Sequence, residues 1–194
     1  MHAIAARSRL AGALLLRLLL IGGDPAGAGG WEIAAGDAGA MRYSPLADID
    51  RTNVSRLEVA WRYRHGDFRS GLGVPYLGTA FEATPILVEG RLVFPTPYNR
   101  VIALDPRTGR GLWTFDPKIE RFRLYGNMMI SRGVSWWRDP EAIGNCAGRI
   151  FLATLDARLI ALDVASGKPC PSFGDGGTVN LLDGIDPLVD PWEY

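Results

Sequence analysis

One pattern occurs twice in this sequence, and it constrains the fold more than any other feature. The run Ile102–Gly109 reads IALDPRTG, the run Ile160–Gly167 reads IALDVASG, and their aspartates lie 58 residues apart. Internal similarity at a period of this size is the mark of a repeated structural unit. The alternative interpretation is that both runs are unrelated D-x-x-[ST]-G hairpin turns. The shared Ile-Ala-Leu-Asp favours the repeat.

Short β-rich runs separated by turn residues surround each copy. In the first unit they are Ala83–Glu89, Arg91–Thr96, Arg100–Asp105 and Arg110–Phe115. In the second they are Gly133–Trp137, Arg149–Thr154, Arg158–Asp163 and a last strand near Cys170–Phe173. Four short antiparallel strands per repeat predict an all-β protein built of β-propeller blades, one near 81–117 and one near 131–175.

The repeated turn has a defined chemistry. Asp105 is placed to turn its carboxylate onto the amides that follow it, as in an Asx turn. Gly109 supplies the positive φ that a bulged return into an antiparallel strand requires. Trp113 then falls on the outer strand, where its ring is expected to dock on the neighbouring blade. Gly167 repeats the turn, but the next aromatic residue of that copy comes only at Phe173.

Two further segments lie outside the repeats. Arg56–Arg64 alternates apolar and polar residues, with Leu57, Val59 and Trp61 on one face. It is predicted to be an N-terminal strand that closes the last blade of a propeller. The segment 116–131 lacks a clean period and is predicted to be a loop with an extended stretch.

The N-terminal residues predict export. Arginines precede a short apolar run with a small-residue site at Ala26–Ala28, the pattern of a signal peptide over 1–28. An anchoring helix is the alternative. Lys plus Arg and Asp plus Glu are 21 each, so no global field favours nucleic acid as a partner.

The cysteines and histidines limit the metal and redox chemistry. Cys146 and Cys170 are the two cysteines. Export permits a disulfide between them, but an intervening strand strains the distance limit, so the pairing stays open. His2 and His65 are the two histidines, and two thiols without nearby histidines do not make a zinc site.

Four stretches together resemble the N-terminal part of the pyrroloquinoline-quinone (PQQ)-dependent dehydrogenases, especially the membrane-linked glucose and polyol type. They are Gly36–Phe68, Phe81–Pro117, Ser131–Asp139 and Gly148–Val179. The resemblance implies an incomplete eight-bladed propeller over 31–194 and a periplasmic location, with possible membrane association. It also implies a sugar, polyol or alcohol substrate, PQQ assisted by calcium, and electrons passed to a respiratory quinone or cytochrome.

The resemblance assigns two residues to the cofactor. Glu82, in FEATP, and Arg132, in SRGVSWW, stand where the family contacts PQQ. A guanidinium suits a planar tricarboxylate as a charge-assisted fork. A carboxylate such as Glu82 beside that anion needs a shared proton or a bridging partner. The plain alternatives are a polar residue at a strand entrance for Glu82 and a surface ion pair for Arg132.

The sequence also departs from the family. Adjacent cysteines of the alcohol dehydrogenases are replaced by Gly126 and Asn127, and a histidine of the glucose enzymes by Met128. The family's calcium ligands and catalytic aspartate fall in later blades, so no catalytic or metal-binding residue is assigned here. We expect the chain alone to lack a complete catalytic site. The competing hypotheses are a non-enzymatic propeller scaffold and a non-functional remnant.

Overall fold

The computed structural model describes residues 31–72, 78–123, 125–126 and 128–185, and the predicted signal peptide at 1–28 lies outside them. The described residues contain a 3₁₀ turn at Val54–Arg56 and ten strands. The strands are β1 Thr79–Phe81, β2 Ile86–Val88, β3 Arg91–Pro95, β4 Val101–Leu104, β5 Gly111–Phe115, β6 Met129–Ser131, β7 Ser135–Arg138, β8 Gly148–Ala153, β9 Arg158–Asp163 and β10 Thr178–Asn180. The predicted all-β class is confirmed. A helix of the length and hydropathy needed to cross a membrane does not occur in these ranges.

The strands form two four-stranded antiparallel sheets and one parallel ribbon. Sheet 1 has the order β2-β3-β4-β5, sheet 2 has the order β7-β8-β9-β10, and β1 pairs with β6. Each four-stranded sheet is a meander of consecutive strands. The predicted pair of four-stranded units is therefore present.

The fourth strand of sheet 2 is displaced from its predicted place. It is not near Cys170–Phe173. The contacts with β9 before that point are a bond from the Asp163 amide to Lys168 O, a bridge between Pro169 and Leu162, and a bond from the Cys170 amide to Ala161 O. Pro171 has no amide proton to continue the ladder, and the chain then turns through glycines with positive φ. Pairing with β9 resumes at β10, so the second unit extends beyond residue 175.

The predicted strand at Arg56–Arg64 is also wrong. The structure has a 3₁₀ turn up to Arg56 and no regular element from 57 to 71. Leu57 and Val59 are exposed, whereas Trp61 is half-buried. A strand needs a hydrogen-bonded neighbour, and none of the described strands pairs with this segment.

Sheet 1 is covered on both faces, as β4 shows. Val101 and Ala103 belong to a core cluster shared with sheet 2, whose members from sheet 2 include Ile150 and Leu162. The alternate β4 residues pack on the opposite face with Phe94 and the Trp61 indole. Because successive side chains of a strand point to opposite faces, every residue of β4 is buried.

The two repeated turns have similar hydrogen-bond patterns. Asp105 Oδ1 accepts bonds from the amides of Arg107 (2.9 Å) and Thr108 (3.0 Å). Asp163 Oδ1 accepts bonds from the amide (2.8 Å) and hydroxyl (2.6 Å) of Ser166. The glycines that end the turns have φ of +68° and +69°, and a register shift follows the first turn between β4 and β5. The predicted turn chemistry is confirmed.

Each of these turns is covered by a tryptophan that does not belong to the same sheet as the turn. The Trp113 indole, on β5, donates to Val164 O at 3.0 Å, and a Cβ on Gly167 would lie 2.4 Å from its ring. The Trp61 indole donates to Pro106 O at 3.0 Å, and a Cβ on Gly109 would lie 2.5 Å from that ring. Only glycine allows such close approach of a flat ring to the backbone.

A disulfide and a carboxylate fasten the second turn to β8. Cys146 and Cys170 are bonded, with their Cα atoms 5.7 Å apart, which decides the pairing that the sequence left open. Asp163 Oδ2 also accepts a hydrogen bond from the amide of Cys146 at 2.7 Å. Burial opposes ionisation of Asp163, but the bonds from Ser166 and Cys146 prevail and lower its pKa.

The first prediction concerns the Trp113 contact. Gly167→Ala should destabilise the protein by about 1–3 kcal/mol more than Gly90→Ala, because a Cβ at 167 collides with the indole. Gly90 is the matched control, with φ of +70° and nothing within 4 Å of an added Cβ. Urea unfolding of both variants provides the measurement. Equal losses in the two variants would contradict the role given to the indole.

The second prediction concerns Asp163. Asp163→Asn replaces an acceptor oxygen by a donor facing the Cys146 amide, so we expect a loss of about 1–3 kcal/mol of unfolding free energy at pH 7. Asp105→Asn is the control and should lose less, since only Oδ1 of Asp105 accepts from the turn amides.

The same variant has a pH signature. The pKa of Asp163 is lower in the folded state than its ordinary value. Its stabilisation is therefore present above the unfolded-state pKa and lost as the pH falls through the folded-state pKa. The stability difference between wild type and Asp163→Asn should shrink between pH 5 and the acid limit of folding. A difference that stays constant below about pH 4 would exclude this linkage.

Candidate cofactor-binding site

The parallel ribbon brings the two predicted site residues together. β1 and β6 pair with Phe81 opposite Ser131, so the next positions in register are Glu82 and Arg132. The amide of Thr84 donates to Arg132 O at 3.1 Å and continues the pairing beyond the strands. Residues in matching positions of parallel neighbours point to the same face. Glu82 and Arg132 are 50 residues apart in sequence, and the ribbon places them side by side.

The side chains of these two residues form an exposed ion pair. Arg132 Nε lies 3.5 Å from Glu82 Oε2, and the side chains are 82% and 45% exposed, respectively. Among the described residues, Glu82 is the hydrogen-bonding partner of the Arg132 guanidinium, which leaves the two terminal nitrogens of Arg132 for a further acceptor. An ion pair this exposed contributes only about 0–1 kcal/mol to folding, so stability alone does not account for it.

A second pair of the same type joins the sheets at the opposite end of their edge strands. Glu89 follows β2, Arg138 ends β7, and Arg138 Nη1 is bonded to Glu89 Oε1. Arg138 is 54% exposed. The Glu89–Arg138 pair links sheet 1 to sheet 2, whereas the Glu82–Arg132 pair joins the segments that lead from the ribbon into β2 and β7.

Buried polar groups, which the sequence did not reveal, lie behind β1. Asp67 is 3% exposed, and its carboxylate accepts bonds from Arg100 and from the amide of Tyr98 at 3.4 Å. Arg100 Nη2 also donates to His65 O. The His65 ring stacks on Phe81 with centroids 5.0 Å apart. The partners of Asp67 are about thirty residues away in sequence, so no local sequence pattern predicts these contacts.

The residues at the rim of the site are only partly described. Met128 is 37% exposed and Gly126 is exposed, while Asn127 lies outside the described residues. Trp136 packs against the core and Trp137 is exposed beneath the Arg149 guanidinium. Successive side chains of a strand point to opposite faces, and of these two neighbours Trp136 is the core residue.

A separate cleft of about 630 Å³ lies beside β10 and away from both predicted residues. Its lining includes Asp156, Arg158 and Asp183. Burial opposes ionisation of Asp156, but bonds from Arg158 and Thr154 lower its pKa. In the part of the chain that the structure covers, no three His, Cys, Asp or Glu residues are grouped to hold a metal ion.

Comparison with known proteins gives a consistent result over most of the chain. Residues 31–194 match the family model described as "PQQ: Glucose/ethanol/alcohol dehydrogenase, beta-propeller domain". The chain is 33% identical over 172 residues to a quinate/shikimate dehydrogenase (quinone) of Acinetobacter baylyi, covering 80% of this chain and 20% of that protein. It is 35% identical over 164 residues to a glycerol dehydrogenase large subunit of Gluconobacter oxydans, covering 83% and 22%.

A solved structure shows the same likeness. The quinohemoprotein alcohol dehydrogenase of Comamonas testosteroni superposes with a TM-score of 0.64 at 32% identity, over 82% of this chain and 20% of that one. The chain therefore spans about a fifth of the length of these relatives.

Proposed function

Because this chain belongs to the PQQ-dependent glucose/ethanol/alcohol dehydrogenase family through its β-propeller domain, we propose that it forms the PQQ-contacting N-terminal part of an exported dehydrogenase. The substrate class is a sugar, polyol or alcohol, and the electrons pass to a respiratory quinone or a cytochrome. Relatives named for glycerol, for quinate or shikimate, and for alcohol support this range. The observation that carries the proposal is the exposed Glu82–Arg132 pair at the end of the parallel ribbon.

The Arg132 side chain fits an anionic cofactor. PQQ is a planar tricarboxylate, and when bound it accepts the two electrons released as a substrate hydroxyl becomes a carbonyl. Arg132 offers terminal nitrogens on a planar, permanently charged group that suits bidentate contact with a carboxylate. Its high exposure leaves room for a ligand above the ribbon.

Glu82 acts through Arg132 in this proposal. A lone carboxylate next to a tricarboxylate is repulsive, but Glu82 already has a bridging cation in Arg132 at 3.5 Å. Glu82 holds Nε and so directs the terminal nitrogens of the guanidinium toward an acceptor. The ion pair supports Arg132 as the bridging partner that a carboxylate at this position needs.

The sheets fit a blade arrangement of the eight-bladed type. Trp113 docks sheet 1 on the turn of sheet 2, and Trp61 makes the same contact with the turn of sheet 1. We therefore place the segment around Trp61 where an outer strand of a preceding blade would lie. Calcium at the cofactor and a periplasmic location complete the proposal. A non-enzymatic propeller scaffold is the alternative, and it requires no affinity for PQQ.

The third prediction tests the cofactor site. Arg132→Ala should weaken binding of PQQ, in the presence of calcium, by about 10- to 100-fold, the value of a charge-assisted hydrogen bond. Arg138→Ala is the matched control, since it also breaks an exposed interstrand Glu–Arg pair, and should change the Kd by about threefold at most. Equilibrium dialysis gives both constants. Equal effects of the two variants would contradict the site, and no saturable binding by wild type would favour the scaffold.

A further inference from the structure

The strand that directly precedes Glu82 depends on one neighbouring segment. β1 has three residues and pairs with β6 on one side. On its other side, Arg69 O accepts from the Thr79 amide at 3.1 Å and Thr79 Oγ1 accepts from the Arg69 amide at 2.9 Å. At the far end of β1, the His65 ring stacks on Phe81 with an interplanar angle of 21°. The segment 65–69 therefore holds both ends of β1.

This segment is itself fixed to sheet 1 by an ion pair whose carboxylate is buried. The Asp67 carboxylate is bonded to Arg100 Nε at 3.2 Å and also to Nη2. Arg100 lies in the hairpin between β3 and β4, whose Tyr98 amide bonds the same carboxylate. A buried carboxylate that loses its cation is strongly destabilised, so the ion pair sets the place of the segment on the sheet.

His65 is tied to this ion pair on its other side. Its Nδ1 accepts from the Asp67 amide at 3.1 Å, and its carbonyl oxygen accepts from Arg100 Nη2. The ring orientation is therefore determined by hydrogen bonds before it meets Phe81. Phe81 also contacts Phe94 edge-on at 5.9 Å, so the half-exposed Phe81 ring is held by two aromatic contacts, one to His65 and one to Phe94.

The position of Phe81 affects the exposed Glu82–Arg132 ion pair. Glu82 directly follows Phe81, and among the described residues Glu82 is the residue that hydrogen-bonds the Arg132 side chain. Any shift of Phe81 moves the Glu82 carboxylate relative to Arg132. We propose that Asp67, fixed by Arg100, and His65 are positioning residues for the Glu82–Arg132 pair, an inference that rests on the function proposed above.

The fourth prediction tests this role through His65, because His65→Ala leaves the buried Asp67–Arg100 pair intact. We expect the Kd for PQQ with calcium to rise about tenfold, the scale seen when supporting residues of a binding site are removed. His65→Phe keeps a ring against Phe81 but lacks the Nδ1 acceptor for the Asp67 amide, so it should restore part of the affinity. Phe151→Ala, which removes a different aromatic contact at 5.4 Å from Phe173, is the control and should leave the Kd unchanged.

A double-variant cycle separates positioning from general support of the fold. In the Arg132→Ala background, His65→Ala should cause no further loss of PQQ affinity, because the residue being positioned is gone. The same tenfold loss in both backgrounds would overturn the proposal, as would an unchanged Kd for His65→Ala alone.

A measurement without PQQ distinguishes failure of this inference from failure of the proposed function. Hydrogen exchange of the Thr84 amide, which is bonded to Arg132 O, should accelerate in His65→Ala while the amides of β8 and β9 stay protected. If neither wild type nor any variant binds PQQ, the proposed function is wrong. Faster hydrogen exchange of the Thr84 amide in His65→Ala would then show that the segment 65–69 only stabilises the fold. If PQQ binding depends on Arg132 but exchange at Thr84 is unchanged, the positioning role is wrong and the function stands.

Discussion

The contact between an indole and a repeated glycine turn sets the distance between neighbouring sheets, and the other features of the structure depend on that distance. Trp113 reaches from the outer strand of sheet 1 to Val164 O of sheet 2, with the ring flat against Gly167. The core between the sheets holds small and β-branched residues such as Val93 and Ile160. Such a core fills completely only at one separation, which the tryptophan contact fixes at the periphery.

The same contact explains why the edge strands meet where they do. With the outer edge held by Trp113 and the core filled, β2 and β7 lie near enough for the Glu89–Arg138 ion pair where they end, and the segments that precede them are joined by the Glu82–Arg132 pair. The parallel β1–β6 ribbon then continues from these edges and carries Glu82 and Arg132 side by side. The geometry of the candidate site is in this sense a product of sheet packing, since the two residues have no local reason to meet.

Prediction from sequence succeeded where the determining contacts are local. The turns at Asp105 and Asp163 depend on bonds to residues two or three positions ahead, so their residue types were enough. The role of Trp61 was missed because its acceptor lies 45 residues away and no strands precede it. The place of β10 was missed because Phe173 suggested a strand, whereas proline and glycine around it interrupt the ladder. The Asp67–Arg100 pair gave no periodic signal at all.

The two Glu–Arg pairs show how the same chemistry takes different roles at opposite ends of the edge strands. At Arg138 the guanidinium bonds its glutamate through a terminal nitrogen, which occupies one of the groups that a ligand would need. At Arg132 the glutamate holds only Nε, at 3.5 Å, and the side chain is far more exposed. A bidentate contact uses two nitrogens of the guanidinium. Both terminal nitrogens of Arg132 remain for such a contact, whereas one terminal nitrogen of Arg138 is already bonded to Glu89. Glu82 and Arg132 follow the β1–β6 ribbon and do not lie in either four-stranded sheet, and the Arg132 guanidinium is on the solvent-exposed surface.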